Sequence, residues 1–194
     1  AGVINIITKS AQMGTHGNAT IEYGRYNSKI ARANISHKNE NFDAKFGVTR
    51  VDTDGFSAIS PKSSEAKNYE DDRYKNTTVN LKLGYNFDQN NRVSTSYEII
   101  DTEVDYDKEI YHPAPSYKLD LAKSADDLSK AKTKTHLANL TYENRNDIAL
   151  TKVYTNYSDF KRTYTDGTSK YKGTIKEYGV NTSIDYLNSS NLTI

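Results

Sequence analysis

The sequence predicts an all-β protein in which one antiparallel sheet occupies most of the chain, and three observations support this. Apolar and polar residues alternate with a period of two through much of the 194-residue chain. The connections between the alternating segments are very short or long, in a regular order. No stretch approaches the ~18 consecutive apolar residues that a transmembrane helix needs. No helix has this combination of features.

The clearest strand is TTVNLKLGYN, in which the odd-numbered residues 79–85 are apolar or aromatic and the residues between them are polar or glycine. Segment 147–158 is also predicted to be a strand, but its faces stay open because Leu150 and Tyr154 compete with Val153 and Tyr157. Eight strands are predicted. The apolar positions of the other strands are Ala19, Ile21, Tyr23; Ala31, Ala33, Ile35; Phe42, Ala44, Phe46, Val48; Val93, Thr95, Tyr97, Ile99; Ala138, Leu140, Tyr142; and Tyr178, Val180, Thr182, Ile184, Tyr186.

Short and long connections fall at opposite ends of the predicted sheet. HKNEN, FDQNN, ENRND and LNSSN are short and rich in turn-forming residues. The connections at the other end are RYNS and the segments 52–76, 101–132 and 159–173, the last three being longer than ordinary hairpin loops. A soluble sandwich has no reason for this asymmetry, whereas outer-membrane barrels combine tight periplasmic turns with long extracellular loops.

Composition and the two strand faces agree with an antiparallel transmembrane β-barrel. Only 35% of residues are apolar, Trp is absent and Tyr supplies 16 aromatic residues against 5 Phe, so a large dry core is difficult to build. The opposite face is polar and suits a wet lumen, while tyrosines at strand ends would meet the membrane interfaces. The polar set is Glu22, Arg32, Lys45, Asn80, Lys82, Glu98, Glu177, Asn181 and Asp185, and the tyrosines are Tyr23, Tyr85, Tyr97, Tyr142 and Tyr186. A half-exposed soluble sheet is the alternative.

Several function classes have no support in the sequence. The net charge of +1 gives no attraction to nucleic acid, and the absence of Cys removes disulfides and thiolate metal sites. The four histidines, His16, His37, His112 and His136, have neither metal-ligand nor catalytic spacing. We therefore expect a protein that is not an enzyme and has no catalytic residues.

The chain is expected to be part of a larger barrel. LNSSNLTI begins another alternating run. Eight strands in about 175 residues scale to roughly 480 residues for 22 strands, the size class whose lumen is wide enough to need a plug. The opening strand GVINIITK would bury both faces, and its residues Gly2, Val3, Ile4, Asn5, Ile6 and Ile7 are the candidate plug strand. The predicted divisions are residues 1–10 for the end of the plug, 11–17 for a linker and 18–194 for the first barrel strands.

GVINIITK resembles the last plug strand of the TonB-dependent outer-membrane receptors. TDGFSA (53–58) supports this resemblance, and YKNTTVNLKLGYNF (74–87) is similar to the fourth strand and turn of the cobalamin and siderophore branches. The resemblance implies a Gram-negative outer-membrane location, contact with outer-membrane lipid, and uptake of a ferric siderophore or cobalamin. It also implies that TonB and its inner-membrane energising complex are partners, through a segment that precedes Ala1.

Two candidate sites lie in the long connections. Loop aromatic residues could pack against a corrin or a catecholate, or against one another: Phe56, Tyr69, Tyr74, Tyr106, Tyr111 and Tyr117. Alternating carboxylates could bind a structural Ca²⁺, as in the cobalamin branch, or form a hydrated acidic loop: Asp101, Glu103, Asp105 and Asp107. Two rival interpretations remain, a complete eight-stranded outer-membrane adhesin or enzyme and a soluble β-sandwich that binds carbohydrate.

Overall fold

The computed structural model describes residues 11–57, 71–106, 111–118, 129–165, 169–186 and 190–193. The candidate plug strand Gly2–Ile7 lies outside these residues, as do Tyr69 and Asp107. The described strands are β1 Gly14–Gly24, β2 Ser28–Lys38, β3 Phe42–Thr53, β4 Tyr74–Asn86, β5 Asn91–Asp105, β6 Lys130–Arg145, β7 Ala149–Tyr164, β8 Lys170–Tyr186 and β9 Ser190–Thr193.

These strands form one antiparallel sheet in which each strand pairs with its neighbours in sequence, in the order β1 to β9. Consecutive antiparallel pairing needs only hairpin connections, so no crossover occurs among the described strands. The eight predicted strands are all present, and the alternating run predicted after them is β9, which pairs with β8. The described part of the chain contains no helix with the length and hydropathy of a membrane span.

Several strands extend beyond the ends that the sequence predicted. β5 continues to Asp105 and β6 begins at Lys130, so residues assigned to the connection 101–132 are paired in the sheet. The predicted long connection 159–173 is wrong, because β7 and β8 are joined by residues 165–169 alone. In these extensions charged and polar residues occupy the face that is apolar in mid-strand, so the hydrophobic pattern stops before the strand does. β1 begins at Gly14, within the segment assigned to a linker.

Exposure of the two faces is the reverse of that in a soluble sheet. Along β2 the residues Ala31, Ala33 and Ile35 are exposed, while Arg32 and Asn34 between them are partly buried. In the described part of the chain the only buried residues are Gly47, Gly84, Ser129 and Ala131, of which Ala131 alone is a hydrophobic side chain. We call the two sides the apolar face and the polar face. The sheet therefore has no dry core of its own to hold it together.

Register settles the orientation of β7, which the sequence left open. Val153 pairs with Tyr142 of β6 and Val180 of β8, so Val153 and Tyr157 belong to the apolar face. Leu150 and Tyr154 therefore belong to the polar face. On β5, Tyr97 lies in mid-strand rather than at a strand end, and its hydroxyl is 2.7 Å from His136 Nδ1.

The apolar residues form a band that crosses the sheet obliquely. The register that starts at Ile21 of β1 leads through successive strands to Lys172 of β8. The apolar run of β8 begins instead at Tyr178 and continues towards Ile184, nearer the end with the short turns. Strands of a membrane barrel tilt by about 35–45°, so a band parallel to the membrane must shift in register from strand to strand. The observed drift has this form.

The three short turns within the described residues share one device. In each, the side-chain Oδ1 of the first residue accepts hydrogen bonds from the backbone N–H groups two and three residues later. The distances are 3.0 and 2.7 Å for Asn39, 2.8 and 2.7 Å for Asp88, and 3.1 and 2.8 Å for Asn146. Hydrogen bonds from the Asn91 side chain and from the Asn90 and Asn91 N–H groups lower the pKa of Asp88. We call this end of the sheet the turn end and the opposite end the loop end.

Candidate functional site

The β1–β2 hairpin organises one side of the loop end. Tyr26 and Asn27 both have positive φ (57° and 52°), which gives a two-residue turn whose twist matches that of the strands. Residues that follow β3 then bind this turn: Asp54 N–H donates to Tyr26 O at 3.0 Å, and Asn27 Nδ2 donates to Asp54 Oδ2 at 2.9 Å. The rings of Tyr26 and Phe56 lie 5.3 Å apart.

The TDGFSA motif, of which residues 53–57 are described, therefore connects two hairpins. Gly55 has φ +70°, and a Cβ at this position would lie 2.1 Å from the backbone oxygen of Asp72. Only glycine fits such a left-handed position against a neighbouring backbone. Thr53 Oγ1 accepts a hydrogen bond from the Ser28 hydroxyl at 2.8 Å and from Gly55 N–H at 3.2 Å. The motif anchors both ends of connection 54–73 to the loop end.

An aromatic cluster of three tyrosines lies on the other side of the loop end. The ring of Tyr106 meets the ring of Tyr164 edge to face at 6.0 Å, and Tyr164 meets Tyr171 at 6.1 Å. The guanidinium carbon of Arg162 lies 5.0 Å from the Tyr164 ring centroid. Edge-to-face rings with a cation over one ring form a surface that suits a flat, anionic or electron-rich ligand. We call Tyr106, Tyr164, Tyr171 and Arg162 the aromatic cluster.

The described members of the predicted loop aromatics make different contacts. Tyr106 is in the aromatic cluster, Phe56 contacts Tyr26, and Tyr74 is the first residue of β4. Tyr111 and Tyr117 are exposed in segment 111–118. Sequence reasoning missed Tyr26, Arg162, Tyr164 and Tyr171, since it had placed the last three in a long loop. Arg162 and Tyr171 pair across the 165–169 turn, and their spacing about it could have revealed the two segments as the paired strands of a hairpin.

Three of the four candidate calcium carboxylates, Asp101, Glu103 and Asp105, are on strand β5 rather than in a loop. Glu103 lies 3.0 Å from Lys132 Nζ and 3.7 Å from Lys75 Nζ, and Asp105 lies 2.7 Å from Lys130 Nζ. Asp101 precedes them on the same face of β5. No group of three or more His, Asp or Glu side chains suited to a metal occurs within the described ranges. Ca²⁺ binding that includes Asp107 stays a prediction.

The polar face carries a connected set of charges and amides. Arg92 Nη2 donates to Asp43 Oδ2 at 2.5 Å, and this pair crosses over Gly84, where a Cβ would lie 2.0 Å from Arg92 Nη2. Further along, Asn139 donates to Asn156 at 2.7 Å, and Asn156 donates to Glu177 at 2.8 Å. A hollow of about 540 Å³ beside the Asp43–Arg92 pair is lined mainly by polar-face side chains. This face offers hydrogen-bonding groups for another polar surface or for water.

Comparison with known proteins does not assign the chain to a family. No protein-family model matches the chain, and no curated protein matches it. Interpretation therefore rests on the sheet, its two faces and its two ends.

Proposed function

We propose that the chain forms the first barrel strands of a TonB-dependent outer-membrane receptor, preceded by the end of its plug. The observation that carries this proposal is the oblique apolar band, exposed on one face while the polar face is partly buried. Lipid satisfies such a face, because a membrane replaces the missing protein core. Only helices and closed β-barrels can cross the hydrocarbon region, because every backbone polar group must be hydrogen-bonded there. Each described strand is bonded to its neighbours in sequence, as in the wall of such a barrel.

The plug would lie against the polar face. Asp43, Arg92 and the Asn139–Asn156–Glu177 chain supply the polar groups that such a contact uses. The resemblance of GVINIITK to a plug strand supports this, as does the position of that stretch directly before β1. TonB would act on the plug, so energised transport would involve release of plug contacts on this face.

The ligand would bind at the loop end, which would face the exterior. The aromatic cluster and the Tyr26–Phe56 pair are the structural elements that support a ligand surface there. A ferric siderophore or cobalamin offers the flat, electron-rich surfaces that tyrosine rings and an arginine can contact. Uptake through conformational gating requires no bond-making residue, in keeping with a protein that is not an enzyme.

Orientation can be tested directly, because this chain contains no cysteine. In the full-length protein, Ser116→Cys at the loop end and Gln89→Cys at the turn end form a matched pair of exposed sites. A membrane-impermeant maleimide should label position 116 in intact cells and position 89 only after the outer membrane is permeabilised. Equal labelling in intact cells, or recovery of the protein in the soluble fraction, would reject the proposal.

Transport has its own test. Uptake of ferric siderophores and of cobalamin is measured in cells that produce the full-length protein, with and without TonB. Binding should survive loss of TonB while uptake is abolished. Tyr164→Ala should weaken binding of the transported ligand by about two- to tenfold, since a ring contact contributes roughly 0.5–1.5 kcal/mol. Tyr164→Phe should restore most of this binding. Uptake that is independent of TonB would contradict the proposed class.

The structure gives less support to the two rival interpretations, a soluble sandwich and a complete eight-stranded barrel. A sandwich needs two sheets packed face to face, whereas the described strands form a single sheet with exposed apolar residues. A complete eight-stranded barrel needs its first and last strands to pair, and β1 pairs only with β2 among the described strands. A sandwich also gives no reason for the alternation of short turns with the 54–73 and 106–129 connections.

A further inference from the structure

Three lysines lie side by side on the apolar face of β6, β7 and β8. Lys134 pairs in register with Lys161, and Lys161 pairs with Lys172. All three are exposed. Like charges directly opposite each other on adjacent strands destabilise a sheet. We call these three residues the lysine row. Repulsion between its ammonium groups would be relieved by an anionic partner.

Neighbouring carboxylates do not provide that partner. Asp101 is the register partner of Lys134, and Asp159 on β7 accepts a hydrogen bond from Thr174 at 2.8 Å. Among the described residues, however, no carboxylate oxygen comes within the 4.0 Å that defines an ion pair with any ammonium group of the lysine row. Lys170 and Lys176 add further positive charge on the same face of β8.

Strands β2 to β6 differ at the adjacent level, two residues nearer the loop end, which Lys132 of β6 occupies. There the register Lys29, Asp52, Lys75, Glu103 and Lys132 alternates in sign from strand to strand. Glu103 forms ion pairs with both of its neighbours, at 3.7 Å to Lys75 and 3.0 Å to Lys132. The charged side chains of β2 to β6 are thus neutralised by one another. The lysine row has no such protein partner among the described residues and would need a ligand from outside the chain.

The lysine row lies beside the apolar band on its loop-end side. On β7, Tyr157 is the last residue of the apolar band before Asp159 and Lys161. On β6, Ala138 is the band residue nearest to Lys134. On the proposed function, on which this inference rests, this level is where lipid headgroups meet the barrel wall. Phosphate groups of an anionic lipid would be held there by adjacent ammonium groups.

We propose that Lys134, Lys161 and Lys172 form a binding site for the phosphorylated headgroup of an outer-leaflet lipid. One acyl-bearing molecule would place its chains along the apolar band and its phosphates across the three lysines. The ligand would be a lipid-borne phosphate rather than free phosphate, because the lysine row adjoins an exposed apolar surface that free phosphate would leave uncovered. Binding would remove the cross-strand repulsion and stiffen the β6–β8 part of the sheet.

The test uses the full-length protein in an uncharged detergent with three probes: bisphosphorylated lipid A, lipid A without phosphates, and inorganic phosphate. The row variant is Lys134→Gln, Lys161→Gln and Lys172→Gln together. A matched control, Lys38→Gln, Lys45→Gln and Lys82→Gln, makes the same charge change on the polar face. Bound lipid is counted by native mass spectrometry, and thermal unfolding midpoints are measured with each probe.

Bisphosphorylated lipid A should raise the midpoint of the wild type and of the control. Its dissociation constant should rise at least about tenfold in the row variant. Without lipid, the row variant should unfold at a higher temperature than the wild type, because the repulsion is gone. If the triple variant does not assemble, Lys161→Gln alone removes the central charge and carries the same test with a smaller effect.

Three results would overturn the site: equal binding of lipid A by wild type and row variant, equal binding of the form without phosphates, or displacement of lipid A by inorganic phosphate at similar concentration. Each can occur while the protein still fractionates with the outer membrane and supports TonB-dependent uptake, so the proposed function would stand. A water-soluble full-length protein would remove the proposed function and this inference together.

Discussion

The turn end and the loop end of the sheet are held together in different ways. At the turn end, one local device recurs, since Asn39, Asp88 and Asn146 each cap the turn that they begin. At the loop end, contacts join hairpins that are distant in sequence, such as Asn27 with Asp54 and Tyr106 with Tyr164. Each turn at the turn end therefore carries its own cap, although hydrogen bonds such as Asn86 N–H to Asn41 O also join neighbouring turns, whereas the loop end consists of contacts that each occur once.

This difference matches the proposed roles of the two ends. A repeated turn sets the strand order and register and needs no particular surface. A ligand surface needs side chains from several strands in one geometry, which only contacts between hairpins can provide. Single changes should then be costly at the loop end and tolerated at the turn end, and four predictions test this contrast.

The largest effect is expected at Gly55 of the loop end. Gly55→Val in the full-length protein places a branched side chain at φ +70° with its Cβ 2.1 Å from the Asp72 carbonyl oxygen. We expect a loss of about 2–3 kcal/mol in stability. The measurement is the thermal midpoint of the folded form in detergent, read from its heat-modifiable mobility on gels.

The control for Gly55 is Gly24→Val in the β1–β2 hairpin. A Cβ on Gly24 meets only Ser28 Cβ at 3.7 Å, and its φ is not in the left-handed range. This control should lose less than about 1 kcal/mol. Equal losses in both variants would show that the loop end does not depend on the Gly55 contact.

The second effect concerns the ion pair that joins β3 to β5 near the turn end. Arg92→Ala leaves the carboxylate of Asp43, which is 19% exposed, without its partner at 2.5 Å. About 1–2 kcal/mol of stability should be lost, a value reduced from that of a buried pair because solvent reaches both groups. Chemical unfolding of the detergent-solubilised protein measures the loss.

Arg32→Ala is the matched comparison for Arg92, since Arg32 pairs with Glu22 on the same face but both side chains are more exposed. A loss near zero is expected for Arg32→Ala. If the two variants are equally destabilised, partial burial on the polar face does not strengthen its ion pairs.

A smaller loss is expected from any single turn cap. Asn146→Ala removes the acceptor for the N–H groups of Ile148 and Ala149, and about 1 kcal/mol should be lost. Asp147→Ala, one residue later in the same turn, should have little effect. Because the other turns keep their own caps, the β2–β3 and β4–β5 turns should show unchanged amide exchange. Spread of the protection loss to those turns would argue against independent units.

The smallest effect is a pH dependence confined to one turn. Hydrogen bonds to its carboxylate lower the pKa of Asp88, so its cap is fully stabilising above the unfolded-state pKa and is lost as pH falls through the folded-state pKa. Asp88→Asn keeps an Oδ1 acceptor that does not titrate. The midpoint of wild type minus that of Asp88→Asn should therefore decrease on acidification. A difference that is constant down to pH ~2, well below the usual Asp value, would contradict the role of the Asp88 charge.

The contrast between the two ends also explains what could be predicted. Strands β1 to β6 were predictable because Val79, Leu81 and Leu83 and their counterparts alternate with polar residues. The short turns were predictable because Asn and Asp cap them through contacts two or three residues away. β7 resisted assignment because both of its faces carry aromatic residues, and only its pairing with Tyr142 and Val180 oriented it.

At the candidate site, prediction from the sequence was poorer. Glu103 and Asp105 resembled loop ligands until pairing with β6 placed lysines opposite them. Tyr106 was selected as a loop aromatic, but its partners Tyr164 and Tyr171 were assigned to a loop that is in fact a hairpin stem. In these extensions charged residues such as Asp101, Lys132 and Lys161 replace apolar residues on the apolar face, so the hydrophobic pattern ended before the strands did.

The sequence by itself determined the all-β class, the consecutive strands, the two chemically different faces and the short turns, because each depends on residues within one strand or one hairpin. Tertiary structure alone decided the oblique course of the apolar band, the aromatic cluster, the Gly55 contact and the lysine row. Those features depend on register, which places residues from three or more strands at one level. No single stretch of sequence contains that relation, since a shift of two residues in one strand would keep every local pattern and change every neighbour.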